Sequence, residues 1–299
     1  MTIEWKGTFP AITTPFTASG AVDHGFLAEH SRWLIDAGCA GIIPLGSLGE
    51  GATLQLAEKQ AVLETVVAAI ADRAPVIAGI AALSTDDAVA LARMAEAAGC
   101  RGLMVLPPYV YSTDEREMHA HVSAVIDATS LPCMLYNNPP AYRTDFTPPQ
   151  IVRLAERHAN LVAVKESSGD VRRITALLAI AGERLAIAVG VDDLAVEAAA
   201  AGAVAWVAGV VNALPAESVA LFEHARRGEH ERAAALYRWM LPLLRMDTVP
   251  KFVQLIKLIQ ERVGRGSARV RAPRLQLEGA ELAEAEATIR HALERRGAP

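Results

Sequence analysis

The sequence predicts an α/β protein: one (β/α)8 TIM barrel with a helical extension at its C-terminal end. Three observations predict it. Short β-type runs alternate with longer helical patterns along most of the 299-residue chain. The runs begin about 25–35 residues apart, the size of a βα unit, and a set of eight closes a barrel. Several runs lack polar alternation, as expected of strands covered on both faces of a parallel sheet. The barrel is assigned to residues 1–225 and the helical region to residues 226–299.

In chain order, strands are expected near Thr8–Thr13, Gly41–Leu45, Val76–Ile80, Gly102–Leu106, Cys133–Tyr136, Leu161–Lys165, Ala186–Gly190 and Ala203–Val207. Helical segments lie between them, such as "LAEKQAVLETVVAAIA" (56–71) and "STDDAVALARMAEAAG" (84–99). In the second, Ser84 fits an N-cap with acidic residues close behind, and Gly99 fits a C-cap. A doubly wound open sheet is the alternative, but no G-x-G-x-x-G follows the first strand. After Pro215 the strand pattern stops, and helices such as "VPKFVQLIKLIQERVG" (249–264) and "LEGAELAEAEATIRHAL" (277–293) take over.

Hydrophobic residues make up 52% of the chain, enough for a large core, and the net charge of −5 offers no basic field to nucleic acid. Basic clusters such as "HARRGEHER" are balanced by Glu and read as a solvated face. Cys39, Cys100 and Cys133 are odd in number and widely spaced, with neither zinc spacing nor a disulfide framework, which predicts a reducing compartment. The opening "MTIEWKGTFPAITTPF" has no basic stretch followed by an apolar one, so no secretory signal is expected. The apolar tract "AAAAGAVAWVAGVV" (198–211) is too short to cross a bilayer. These features predict a soluble, cytoplasmic protein without nucleic-acid or membrane partners.

In such a barrel, chemistry belongs at the C-terminal ends of the strands. Three ends stand out: "GSLGE" (46–50), "YNNP" (136–139) and the lysine of "LVAVKESSGD" (161–170). Lys165 could simply snorkel to solvent. A mouth built from apolar strands would instead dehydrate its ammonium, lower its pKa and leave a free amine able to form a Schiff base. Tyr136 could be a packing residue, or its hydroxyl could carry protons to and from a substrate carbonyl. "GSLGE" could be a plain turn, or its glycine-freed N–H groups and serine hydroxyl could cradle a carboxylate.

With these residues in barrel order, the chain resembles the dihydrodipicolinate synthase / N-acetylneuraminate lyase family of class I aldolases. The likeness runs through "GTFPAITTPF", "GSLGE" (G-[ST]-T-G-E in the family), "LPPY", "YNNP", "VAVKESSGD" and "GVDD" (190–193). It implies a barrel with a C-terminal helical region, a homodimer or homotetramer, and no metal or organic cofactor. It implies further that Lys165 forms an imine with C2 of a 2-keto acid, that Tyr136 shuttles protons and that Ser47 relays them. The N–H groups of Ser47 and Leu48 would hold the C1 carboxylate. Gly190 would keep its loop close to the substrate, and the carbonyl of Val204 would face the lysine.

Three departures bear on the substrate. Val110 stands where the lysine-biosynthetic synthase places a second tyrosine, with Tyr109 before it and Tyr111 one residue late. Leu48 replaces a carboxylate-binding threonine. "YNNPPAYRTD" is two residues longer than the family's spacing, so Arg143 matches the distal-carboxylate arginine only if the loop bulges; otherwise it is a surface arginine. The sequence therefore points to a catabolic lyase on a small 2-keto acid or cyclic imino acid. Deamination of Δ1-pyrroline-4-hydroxy-2-carboxylate is favoured, because a cyclic imine is already activated for exchange with Lys165. A 2-keto-3-deoxy sugar-acid aldolase or dehydratase, the synthase proper and a non-catalytic sensor are the alternatives.

Overall fold

The computed structural model describes residues 3–109 and 114–296. Its strands are β1 (Gly7–Pro10), β2 (Ile77–Ile80), β3 (Gly102–Val105), β4 (Cys133–Asn137), β5 (Leu161–Glu166), β6 (Ala186–Val189) and β7 (Ala205–Ala208). All pairings are parallel, in the order β1-β7-β6-β5-β4-β3-β2. The remaining gap, between β2 and β1, is closed by the chain at Ile42 and Ile43. Ile43 bridges Ala11 and Ile42 bridges Val76, both in parallel. The Ile43 N–H donates to Pro10 at 2.9 Å, and the Ile77 N–H donates to Ile42 at 2.9 Å. The expected strand over Gly41–Leu45 thus fills the eighth position as two bridges only. It stops early because Pro44 has no N–H to give and Leu45 turns to φ 65°.

Around the ring run α1 (His24–Asp36), α2 (Leu56–Ile70), α3 (Thr85–Ala97), α4 (Glu115–Asp127), α5 (Pro139–Tyr142) and α6 (Pro148–Arg157). They are followed by α7 (Arg172–Ala181), α8 (Ala195–Ala200), α9 (Pro215–Arg226), α10 (His230–Leu244), α11 (Phe252–Arg262) and α12 (Gly279–Glu294). α3 starts and stops where its sequence signals lie: the Ser84 hydroxyl accepts from the Asp87 N–H, and Gly99 leaves the helix at φ 90°. β2, β3 and β4 are buried at every residue, which is why their sequences read as unbroken apolar runs.

The C-terminal helices close over the barrel. α12 is tied to α10 by the Trp239 indole N–H donating to Ala292. α11 buries Val253, Ile256, Leu258 and Ile259, and it reaches the chain just past β1, where Thr13 donates to Gln260 at 2.9 Å. Among the described residues, no helix is long and apolar enough to cross a membrane. All three cysteines are buried and unpaired, and burial pushes each thiol up to about 12.

Candidate active site

The C-terminal ends of the strands surround a cavity of about 650 Å³. Ser47, Leu48, Tyr136, Lys165 and Gly190 all line it. Lys165 enters from β5, directly across from Tyr136 of β4 in the strand register. Strand alternation sends the next residue, Glu166, to the opposite face. There it accepts from Asn137 at 3.1 Å and from the Ser168 N–H at 2.7 Å.

Lys165 is buried, and its Nζ sits 4.0 Å from the centroid of the Tyr136 ring. Dehydration pulls its pKa down to about 8, an effect opposed by the negative charges of Asp247 and Asp192. Among the described residues none accepts a hydrogen bond from this amine. Gly190 makes the fit possible. A Cβ there would lie 2.2 Å from Lys165 Cε and 2.1 Å from Ser167 Oγ, so only glycine lets the loop after β6 pass this close.

The Tyr136 hydroxyl accepts from Asn138 Nδ2 at 2.9 Å, and burial pushes its pKa up to about 12. It remains a neutral phenol at physiological pH. Ser47 Oγ shares a hydrogen bond with the Tyr142 hydroxyl, and the Tyr142 ring meets Tyr136 edge-on with centroids 5.7 Å apart. Hydroxyls of Ser47, Tyr142 and Tyr136 thus gather on one wall. The N–H groups of Ser47 and Leu48 donate to no group among the described residues, leaving two free donors at the cavity edge.

The 46–50 loop is held in shape from outside the barrel. Leu45 and Glu50 both adopt left-handed backbone, at φ 65° and 53°. The Glu50 carboxylate is buried against Lys257 of α11 at 2.6 Å and also accepts from the Arg271 N–H at 3.0 Å. On the far side, Asp192 is buried but fully occupied. It accepts from the Trp206 indole at 2.9 Å, from the Gly209 N–H at 3.1 Å and from the Val210 N–H at 2.8 Å. Burial nonetheless raises its pKa to about 6.

Two expected site residues do not line the cavity. The Val204 carbonyl accepts from the Gly7 N–H at 3.0 Å, one residue before Ala205, which stands level with Ala188 and through it with Lys165 in the strand register. The strand runs Ala205–Ala208 rather than Ala203–Val207, so Val207 and Gly209 are the residues that reach the cavity. Arg143 is exposed and lies outside the cavity wall. The lengthened loop folds into the four-residue helix α5, capped by Asn138; Arg143 ends that turn at φ 62° and is exposed. Tyr142 takes the inward position instead. Val110 and Tyr111 lie outside the described residues.

Tyr142 and Asp247 also line the cavity, and neither was singled out from sequence. The lengthened loop was the only signal for Tyr142. Asp247 lies in "RMDTVPKFVQLIK" (245–257), a stretch that resembles catabolic members of the family, but nothing in that stretch marks the aspartate itself. Among the described residues, no cluster of three or more His, Cys, Asp or Glu side chains is placed to hold a metal ion.

A parallel barrel with a dehydrated lysine and neutral phenol facing one cavity is the architecture of a class I aldolase-type lyase. Comparison with known sequences and structures narrows the class. The chain belongs to the dihydrodipicolinate synthetase family, whose sequence profile matches residues 4–292. It is 33% identical to the 4-hydroxy-tetrahydrodipicolinate synthase of Rhizobium meliloti over 96% of this chain and 98% of that protein. The 4-hydroxy-tetrahydrodipicolinate synthase of Methylacidiphilum fumariolicum SolV superposes with a TM-score of 0.93 at 28% identity, covering 98% of this chain and 97% of that one. A prophage protein of the same family from E. coli K12, solved in complex with pyruvate, gives a TM-score of 0.91 at 27% identity, covering 97% and 99% of the two chains.

Proposed function

We propose that this enzyme binds a pyruvate-like 2-keto acid as an imine on Lys165 and makes or breaks a bond at the neighbouring carbons. One observation carries the reading: a buried lysine, without a hydrogen-bond acceptor, opens onto a cavity large enough for a small substrate. Its free amine attacks C2, water leaves, and the resulting iminium withdraws electrons from C3. A C3–H bond then becomes acidic, so that C3–C4 bonds form or cleave through an enamine. Tyr136, neutral and next to the lysine, is the group assigned to move protons during addition and water loss. The free N–H groups of Ser47 and Leu48 receive the C1 carboxylate. The pyruvate-bound relative supports the choice of keto acid.

Reduction with borohydride in the presence of pyruvate should add the mass of one reduced pyruvate per chain, on the peptide that contains Lys165. An unmodified chain, or a label on another lysine, overturns the assignment.

For the complete reaction we favour synthase-type condensation of pyruvate with aspartate semialdehyde over the deamination expected from sequence, a choice supported by the shared name of the relatives. Deamination of Δ1-pyrroline-4-hydroxy-2-carboxylate is retained as a second reading. It is favoured by Arg143 standing outside the cavity and by the apolar Leu48 side chain lining it. The deciding measurement is kcat/KM for pyruvate plus aspartate semialdehyde beside that for the hydroxypyrroline carboxylate; a tenfold advantage assigns the reaction.

A further inference from the structure

We infer that Asp247 forms a subsite for a hydroxyl group carried beyond C3 of a keto acid held on Lys165, so that the enzyme selects hydroxylated chains over plain ones. The inference rests on the imine-forming reading above. Asp247 closes the short turn Arg245–Asp247 that follows α10 and lines the same cavity as Lys165. Its Oδ1 is sealed from solvent and has no hydrogen-bond partner. Contact with Gly209 of the loop after β7 holds it in place, since a Cβ at 209 would fall 2.0 Å from Oδ1.

Asp192 shows what a structural carboxylate on this wall looks like: every oxygen is occupied by backbone or indole N–H groups. Asp247 has none of these donors. Lys165 does not serve as one either, since no hydrogen bond or ion pair joins the two side chains. Oδ1 packs against Gly209, and the other oxygen, Oδ2, takes no hydrogen bond among the described residues, so it is Oδ2 that can meet a group in the substrate cavity.

The choice of a hydroxyl follows from the charge state. Burial and the neighbouring Asp192 raise the Asp247 pKa well above the usual carboxylate range. A hydroxyl can donate to the ionised carboxylate or accept from the protonated acid, so it pairs with either form. A second carboxylate would be repelled by the ionised form.

Two acids that differ by one hydroxyl test this, 2-oxobutyrate and 4-hydroxy-2-oxobutyrate, each trapped on the enzyme with borohydride. The native enzyme should half-saturate with the hydroxylated acid at a concentration roughly tenfold lower, the factor that one buried hydrogen bond to a carboxyl group confers. Asp247→Leu should lose the preference, bringing the half-saturation concentrations of the two acids within about threefold of each other. Asp247→Ala gives the same reading should the leucine variant fail to fold. Equal half-saturation by the two acids in the native enzyme overturns the subsite, as does a preference that survives both substitutions. Failure to trap pyruvate or either acid removes the imine reading itself, and this inference with it.

Discussion

Two lysines are buried in this protein near the same end of the barrel, and their surroundings could hardly differ more. Lys257 donates to Glu50 Oε1 at 2.6 Å, to the Thr14 carbonyl at 2.8 Å and to the Arg269 carbonyl at 2.8 Å. Those three bonds use every hydrogen an ammonium has. Lys165 meets only the face of the Tyr136 ring, and its negative neighbours act from beyond hydrogen-bonding distance. Dehydration lowers both pKa values, yet Glu50 supports the charged form of Lys257 directly. Burial alone therefore does not make a lysine a nucleophile. Burial without acceptors, beside open space, is the setting of the lysine proposed to act as one. Lys257 instead shapes the site from behind, by holding the loop that carries Ser47 and Leu48.

The comparison breaks most decisively at Lys165. Lys165→Ala should fold yet lose essentially all turnover and all borohydride-trapped adduct. An adduct of unchanged stoichiometry, mapped to Lys257 or elsewhere, would reverse the roles assigned here.

Next in size is Tyr136→Phe, which keeps the ring beneath Lys165 and deletes only the hydroxyl. It should lower kcat by roughly 10²–10⁴ with little loss of stability. An unchanged kcat with a lowered Tm would make Tyr136 a packing residue.

Lys257→Met tests the other lysine. It strands the buried Glu50 carboxylate, and breaking such a pair typically destabilises a protein by about 3–5 kcal/mol. Denaturant unfolding should register that loss, while the adduct formed by the remaining folded protein stays on Lys165. A stability within about 1 kcal/mol of the native value would show that Glu50 takes up a proton or finds water instead.

The pH profile sharpens the contrast further. Only the free amine attacks, so the rate of adduct formation should rise with pH and reach half its plateau near pH 8, where Lys165 loses its proton. A midpoint above 10 would mean that the site does not dehydrate its lysine. The smallest effect is expected for Tyr142→Phe, which removes the partner of Ser47 while keeping the ring against Tyr136. A fall in kcat of about tenfold is the scale of one lost hydrogen bond; no change would make the Tyr142 hydroxyl a bystander.

Much of the barrel was legible because its signals are local. Unbroken apolar runs mark strands covered on both faces, and Ser84 and Gly99 mark the ends of a helix wherever they occur. Lys165 and Tyr136 could be singled out because a strand end in a parallel barrel has a known direction. Errors arose where the reading depended on register or on the path of a loop. β7 starts two residues later than expected, which brings Val207 and Gly209 to the cavity, and a four-residue helix exchanged Arg143 for Tyr142 there.

The sequence by itself determined that the chain forms a parallel barrel and that a lysine ends one of its apolar strands. Both follow from periodicity and chain direction, which neighbouring residues carry among themselves. It singled out Lys165 by its place at a strand end but not by its lack of partners, because "QLIKL" around Lys257 is as apolar as "VAVKE". That decision belongs to contacts far apart in the chain. Glu50 lies 207 residues from the lysine it occupies, whereas Asp247, brought against Gly209 beside the cavity, has no donor to occupy it. Whether a buried charge finds a partner depends on which distant segments fold against it, and only the tertiary structure places those segments.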